Sequence, residues 1–102
     1  SADDIHHIAK TSTSESNSQN IQKGEKTKGW ITLLPGKWHY IDVSSRYRDI
    51  VIKPQGEIVI KKPNGTTYTE RPDSKHDEVG AYGTYGFKPR GKKSVKVWVS
   101  LT

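Results

Sequence analysis

The sequence predicts an all-β protein, a small antiparallel β-sandwich of six or seven short strands preceded by an extended N-terminal arm. Three observations support this fold class. Apolar and polar residues alternate with period two through much of residues 29–102. Turn sequences rich in Gly, Pro and Asn recur about every 8–12 residues. No part of this body shows a helical period, which disfavours an OB-like barrel with a helix between its third and fourth strands.

Residues 1–28 form the predicted arm because they contain little that a core could bury. Only five of the chain's 31 Ala, Val, Ile, Leu, Phe, Trp and Tyr residues fall there. The segment TSTSESNSQN has no apolar residue, and such a composition cannot offset its own ordering entropy. Ile5 and Ile8 share one face of a weak helical pattern of one or two turns. We therefore expect a partner to order the arm, with Ile5, Ile8 and Ile21 as its partner-binding anchors.

The body, residues 29–102, is predicted to begin with two hairpins. In the first, GWITLL and KWHYIDV flank the turn pair Pro35–Gly36. In the second, DIVIK and EIVIK flank Pro54–Gln55–Gly56. The two IVI triplets are fully β-branched, which restricts χ1 and suits a pleated surface.

Three further elements complete the predicted body. Asn64–Gly65 is typical of a type I′ turn between two strands, and residues 70–80 form a polar loop. The next segment, AYGTYGFKPRGKK, alternates aromatic residues with glycines, which indicates an irregular or bulged strand rather than a central one. The last segment, SVKVWVSLT, places alternating Val and Leu residues on one face, so we expect this strand to lie in the core.

The net charge of +6 lies entirely in the body, because the four lysines of residues 1–28 are balanced by four carboxylates. A basic body favours nucleic acid, an acidic glycan or an acidic protein surface, although a solvated basic surface explains the charge equally well. No apolar run is long enough to span a bilayer, and the N-terminus lacks the basic-then-apolar order of a secretory signal. We therefore expect a soluble chain with no membrane partner.

The sequence predicts no catalytic residue, no cofactor and no metal site. It has no cysteine and contains no P-loop, nucleophile elbow or Gly-rich dinucleotide turn. His6 and His7 are adjacent, whereas two ligands on one helix face need a spacing of three or four. The loop DSKHDE lacks the alternating oxygen ligands and central Gly of a calcium loop. We therefore expect a protein that is not an enzyme.

One stretch combines aromatic rings with cations, a pattern that suits stacked bases and neutralised phosphates. The competing interpretation is a hairpin with half-buried aromatics and a solvated KPRGKK tip. A third hypothesis uses Trp30, Trp38 or Trp98 as a platform for sugar rings, although tryptophans in a small core need no such role. The candidate surface-contact residues are Tyr82, Tyr85, Phe87, Lys88, Arg90, Lys92 and Lys93.

In outline, a polar arm followed by a β-sandwich resembles the small accessory proteins of bacteriophage particles, such as capsid decoration or tail-attachment proteins. The resemblance implies a virion structural role, many copies or a homo-oligomer, other virion or assembly proteins as partners, and assembly in the host cytoplasm. We therefore predict a non-enzymatic structural or assembly protein that docks through its arm and its β-body. The alternatives are a nucleic-acid-binding β-domain that uses residues 82–93, or a glycan-binding module.

Overall fold

The computed structural model describes residues 28–102, and within them it describes residues 44–47 by their backbone alone. These residues form an all-β, antiparallel fold with no helix, which confirms the predicted fold class. None of them therefore forms a helix suited to crossing a membrane. The six strands are β1 (Lys28–Leu33), β2 (His39–Pro54), β3 (Ile58–Lys61), β4 (Thr67–Glu70), β5 (His76–Pro89) and β6 (Val95–Leu101).

The six strands form one continuous sheet in the order β1-β6-β2-β5-β3-β4, and this sheet folds over into two layers. The β3–β4 layer contains β4, β3, residues 83–89 of β5 and residues 39–43 of β2. The β1–β6 layer contains β1, β6, residues 48–54 of β2 and residues 76–81 of β5. The sandwich is thus built from two halves of one sheet, because the long strands β2 and β5 each enter both layers.

Both long strands are irregular where they pass from one layer to the other. The pairing of β2 with β5 runs from Val43↔Gly83 to Arg48↔Ala81, so β2 carries extra residues at the bend. On β5, Gly80 and Gly83 have φ angles of 72° and 109°. Residues with a Cβ avoid such angles, and bulges of this kind bend a strand and increase its twist. The glycines of β5 therefore permit the two-layer arrangement.

The core lies between the two layers and follows the period-two alternation of the sequence. Inward-facing residues of β1, β2, β3, β5 and β6 form one cluster, and Tyr68 of β4 packs against it. Its members are Ile31, Leu33, Ile41, Val43, Ile50, Ile52, Ile58, Ile60, Ala81, Tyr85, Phe87, Val97, Val99 and Leu101, each no more than 4% exposed. The interior of the sandwich is therefore filled by the protein's own side chains.

The first two predicted hairpins are wrong. The turn at Pro35–Gly36 forms, closed by a 3.2 Å hydrogen bond from the Lys37 amide to the Leu34 carbonyl. However, β1 pairs with β6, and β3 pairs with β4 and β5, so neither is bonded to β2. The two connections cross from one layer to the other. β1 and the start of β2, and likewise the end of β2 and β3, therefore lie in opposite layers instead of pairing edge to edge.

The hairpin between β3 and β4 is confirmed, but its predicted turn type is wrong. The Gly65 amide donates a 2.8 Å hydrogen bond to the Lys62 carbonyl, which places Pro63 and Asn64 at the centre of the turn. Gly65 follows in a left-handed conformation with φ of 90°. This is the pattern of a three-residue hairpin loop with a glycine bulge. The Asn64 side chain also accepts a 2.9 Å hydrogen bond from the Thr66 amide.

The remaining boundaries differ modestly from the predictions. β5 begins at His76, so the polar loop is shorter than residues 70–80. β5 is irregular as expected, but it is central, because it pairs with both β2 and β3. The core position of β6 is confirmed. β1 begins at Lys28, one residue before the predicted body. Residues 1–27 of the arm, including Ile5, Ile8 and Ile21, lie outside the described residues.

Candidate functional site

The predicted contact stretch divides between the inside and the outside of the sandwich. Tyr85 and Phe87 are 0% and 1% exposed and belong to the core, so their assignment to a surface contact is wrong. Lys88, which points the other way from Phe87, reaches the outer face of the β3–β4 layer. Strand alternation is the physical reason for this division. The sequence showed the alternation, but both faces carried aromatic residues, so it did not show which face was inward.

The other predicted contact residues lie in different places. Tyr82 is 51% exposed and lines a cavity of about 380 Å³ next to Glu78. Arg90 donates a 3.1 Å hydrogen bond to the Glu57 carboxylate. Lys92 and Lys93 line an end groove of about 620 Å³ between the β2–β3 and β5–β6 connections. The structure therefore does not bring the predicted residues together as one surface.

A different surface combines rings and cations, on the outer face of the β3–β4 layer. The rings of Trp38 and Tyr40 lie nearly parallel, with centroids 6.3 Å apart and planes at 23°. Both rings rest on the backbone of Gly86, where an added Cβ would lie 2.9 Å from Tyr40 Cε1 and 3.2 Å from Trp38 Cε3. Gly86 pairs with Tyr40 on one side and Lys61 on the other. A glycine at this position thus lets both rings lie against the sheet.

Two lysines from neighbouring strands surround the Trp38 ring. Lys61 Nζ of β3 lies 4.1 Å from the ring centroid, and Lys88 Nζ of β5 lies 4.6 Å from it. Lys61 Nζ is also 5.7 Å from the Tyr40 centroid. Neither lysine forms an ion pair with a carboxylate of residues 28–102. We call this surface the Trp38 platform and define it by Trp38, Tyr40, Lys61, Gly86 and Lys88.

The Trp38 platform can bind an anionic ligand that also has a flat face, because it offers ring faces and ammonium groups together. Strands β2, β3 and β5, together with Trp38 directly before β2, supply its residues, so no single stretch of sequence contained it. Lys88 was predicted as a contact residue, and Trp38 was considered for sugar binding. Sequence reasoning missed the contributions of Tyr40, Gly86 and Lys61. The signal available in the sequence was Tyr40 two residues after Trp38, which places both side chains on one face of a strand.

The other two tryptophans have a different geometry on the outer face of the β1–β6 layer. Trp30 and Trp98 are direct cross-strand partners, with centroids 5.4 Å apart and planes at 65°. This edge-to-face packing is a favourable aromatic contact. It stabilises the pairing of β1 with β6, but it does not present two parallel rings to a ligand.

A polar cluster lies where β4 and the start of β5 approach each other. The Tyr68 hydroxyl hydrogen-bonds to His76 Nδ1. His76 Nε2 lies 3.0 Å from Glu78 Oε1, and Lys62 Nζ lies 3.3 Å from the same oxygen. Partial burial raises the pKa of the Glu78 carboxyl group, but the polar groups of Tyr85, Lys62 and His76 outweigh it and leave the pKa below its ordinary value. Glu78 is therefore held as a carboxylate.

Tyr85 extends this cluster into the core. Burial, followed by the negative charge of Glu78, raises the pKa of the Tyr85 hydroxyl. The Glu78 carboxylate is close enough to raise this pKa, while no described side chain meets strict hydrogen-bond geometry with the hydroxyl. The cluster thus stabilises an ionised Glu78 and a neutral Tyr85. Among residues 28–102, no group of three His, Asp or Glu side chains is arranged to hold a metal ion.

Comparison with known proteins finds similarity in fold alone. No protein-family model matches the chain, and no curated protein matches it. The solution NMR structure of a de novo designed double-stranded β-helix is similar with a TM-score of 0.63 and 12% identity, over 74% of this chain and 97% of that one. The Schizosaccharomyces pombe Cnp3 cupin domain is similar with a TM-score of 0.58 and 17% identity, over 80% of this chain and 56% of that one. The chain is therefore similar to double-stranded β-helix and cupin domains in architecture.

Proposed function

We propose that the protein is a non-enzymatic binding module of a larger assembly, which docks through residues 1–28 and the outer surfaces of its β-body. The filled interior is the observation that carries this proposal. Fourteen apolar side chains occupy the space between the layers, and a small molecule has no room there. The groups that can contact a partner therefore lie on the outside.

The polar cluster around Glu78 is the strongest argument that the protein is an enzyme, because the cluster adjoins the cavity of about 380 Å³. Its chemistry favours a structural role. A general acid or base works best with a pKa near the operating pH, whereas the pKa of Glu78 is lowered and its carboxylate is paired with Lys62. We therefore assign the cluster to stability. Turnover of generic ester or glycoside substrates by the purified chain, lost in Glu78→Gln, would contradict this assignment.

The specific form of the proposal is a virion accessory protein, either a decoration or a tail-attachment component present in many copies. Its support is the architectural resemblance of a polar arm joined to a β-sandwich. Arms of this kind enlarge an interface with few residues, although their ordering consumes part of the binding free energy. The basic body provides charge complementarity to an acidic neighbouring protein.

Sedimentation of extracts from the native source tests this proposal. The full chain, detected with an antibody, is expected in a fast-sedimenting particle. A variant lacking residues 1–27, which leaves β1 complete, is expected to leave the particle while its body keeps the same thermal unfolding temperature. Recovery of the native chain solely as a slow-sedimenting monomer would contradict the proposal.

A further inference from the structure

We propose that the Trp38 platform is a binding site for single-stranded nucleic acid, in which two neighbouring bases stack on Trp38 and Tyr40 while Lys61 and Lys88 contact the phosphates. This inference goes beyond the assembly role and does not depend on it. It also differs from the stretch suggested by the sequence, because it uses one face of three strands instead of one continuous segment. Of the contact residues predicted from the sequence, the site keeps Lys88.

The ring geometry is the first argument. The ring planes of Trp38 and Tyr40 are close to parallel, at 23°, and their centroids are 6.3 Å apart, so the pair presents ring faces in one common orientation for stacked bases. Gly86 permits this arrangement, because a Cβ there would lie 2.9 Å from Tyr40 Cε1 and 3.2 Å from Trp38 Cε3. Aromatic rings on a β-sheet surface stack bases in several single-strand-binding folds, and such stacking tolerates any sequence because every base has a π face.

The charge distribution is the second argument. Lys61 and Lys88 lie on the same face as the rings, within 4.6 Å of the Trp38 centroid, and form no ion pair with a described carboxylate. Asp42 is the acidic residue on this face of β2, and its carboxylate accepts a 3.2 Å hydrogen bond from the Thr84 hydroxyl. The platform is therefore cationic next to the rings, as a phosphate backbone requires.

A bound base must displace the ammonium groups from the Trp38 ring. This exchange is favourable because an exposed cation–π contact is weaker than base stacking. The displaced ammonium groups remain close enough to pair with the flanking phosphates. A duplex would gain only the charge contacts, because its bases are already stacked on one another. The geometry therefore favours single strands over duplex.

The test measures binding of the full chain to fluorescently labelled oligo-dT and oligo-U of about 10 nucleotides by anisotropy over a range of salt concentrations. Two variants remove equal charge: Lys61→Ala with Lys88→Ala on the platform, and Lys53→Ala with Lys96→Ala on the opposite outer face. The platform variant is expected to lower the slope of log K against log salt by about 1.4, since each single-strand phosphate contact contributes about 0.7. The control variant is expected to leave the slope nearly unchanged.

Trp38 variants test stacking separately from charge. Trp38→Ala is expected to weaken binding by about 5- to 150-fold, and Trp38→Phe is expected to restore most of it. Thermal unfolding of each variant shows that the body is folded. The proposal would be overturned if the two lysine-pair variants lowered the salt slope equally, or if duplex bound as tightly as single strands. It would also be overturned if Trp38→Ala left binding unchanged in the folded body. Trp38-dependent binding of a sulfated glycan without binding of either oligonucleotide would overturn it as well.

Discussion

The Tyr68 hydroxyl and the Nδ1 atom of His76 form a hydrogen bond that joins the two layers at one side of the sandwich. Tyr68 belongs to β4, the edge strand of the β3–β4 layer, and His76 belongs to the edge segment of the β1–β6 layer. An open sheet edge exposes unpaired backbone groups to unwanted pairing. The side-chain contact holds the two edges together where no backbone ladder joins them.

Tyr68→Phe is expected to lower the free energy of unfolding by about 0.5–1.5 kcal/mol, the net value of one hydrogen bond. Urea denaturation measures this change. Tyr40→Phe provides the matched control, because it removes the same atom from a tyrosine for which the described residues provide no hydrogen bond. Equal destabilisation by both substitutions would show that the contact with His76 contributes nothing specific.

Because of Glu78, the free energy of unfolding is expected to fall as the pH drops below 4.5, the ordinary pKa of this carboxyl group. Its pKa is lower in the folded state than in the unfolded state, so the unfolded chain binds the proton first as the pH falls. The stabilisation from Glu78 is therefore present above pH 4.5 and is lost as the pH falls through the folded-state pKa. Glu78→Gln removes this contribution, so the variant is expected to lose less stability than the parent between neutral pH and about pH 3. Urea denaturation of the parent and the variant at both pH values measures the difference. Equal losses of unfolding free energy in the two proteins would contradict the prediction.

Gly83→Ala is expected to destabilise the fold by about 2 kcal/mol or more, from a left-handed backbone penalty and from overpacking. Gly83 has a φ of 109°, and a Cβ there would lie 2.7 Å from Pro63 Cβ. Gly91→Ala is the control, because a Cβ at Gly91 meets nothing within 4 Å. Thermal and urea unfolding compare the two variants. A Gly83→Ala variant as stable as Gly91→Ala would show that β5 does not need this bend.

Gly86→Ala is expected to move the platform rings more than it changes stability. The added Cβ would contact the ends of two half-buried side chains, which can swing away from the sheet. Overpacking a close-packed core usually costs about 1–3 kcal/mol. The loss of stability in Gly86→Ala is therefore expected to be smaller than this usual cost. The near-ultraviolet circular dichroism of the aromatic rings reports their displacement. An unchanged spectrum would show that the rings do not rest on Gly86.

Local sequence predicted the strands better than their partners. The triplets Ile50–Ile52 and Ile58–Ile60 both form strands, as their β-branched residues indicate. The turn sequence between them suggested a hairpin, yet it connects the two layers. Which strands pair is decided by the shared core, and that information is distributed over the whole chain. The position of the Pro63–Gly65 turn, though not its type, was predictable because its hydrogen bonds are local.

The candidate site was predictable only in part, for the same reason. Lys88 and Trp38 were singled out in the sequence, but the platform depends on the cross-strand register that sets Gly86 between Tyr40 and Lys61. Tyr85 and Phe87 illustrate the opposite error. In the sequence they look like surface aromatics beside lysines. Side chains of a strand alternate between its two faces, and these two side chains face the core.

Lysine footprinting tests most directly whether the outer face of the β3–β4 layer binds a ligand. The full chain is treated with an amine-acetylating reagent with and without oligo-dT, and mass spectrometry measures the modification of each lysine. Lys61 and Lys88 are expected to be protected by the oligonucleotide, while Lys53 and Lys96 react as before. Equal protection of all four lysines, or protection of Lys53 and Lys96 alone, would contradict the account.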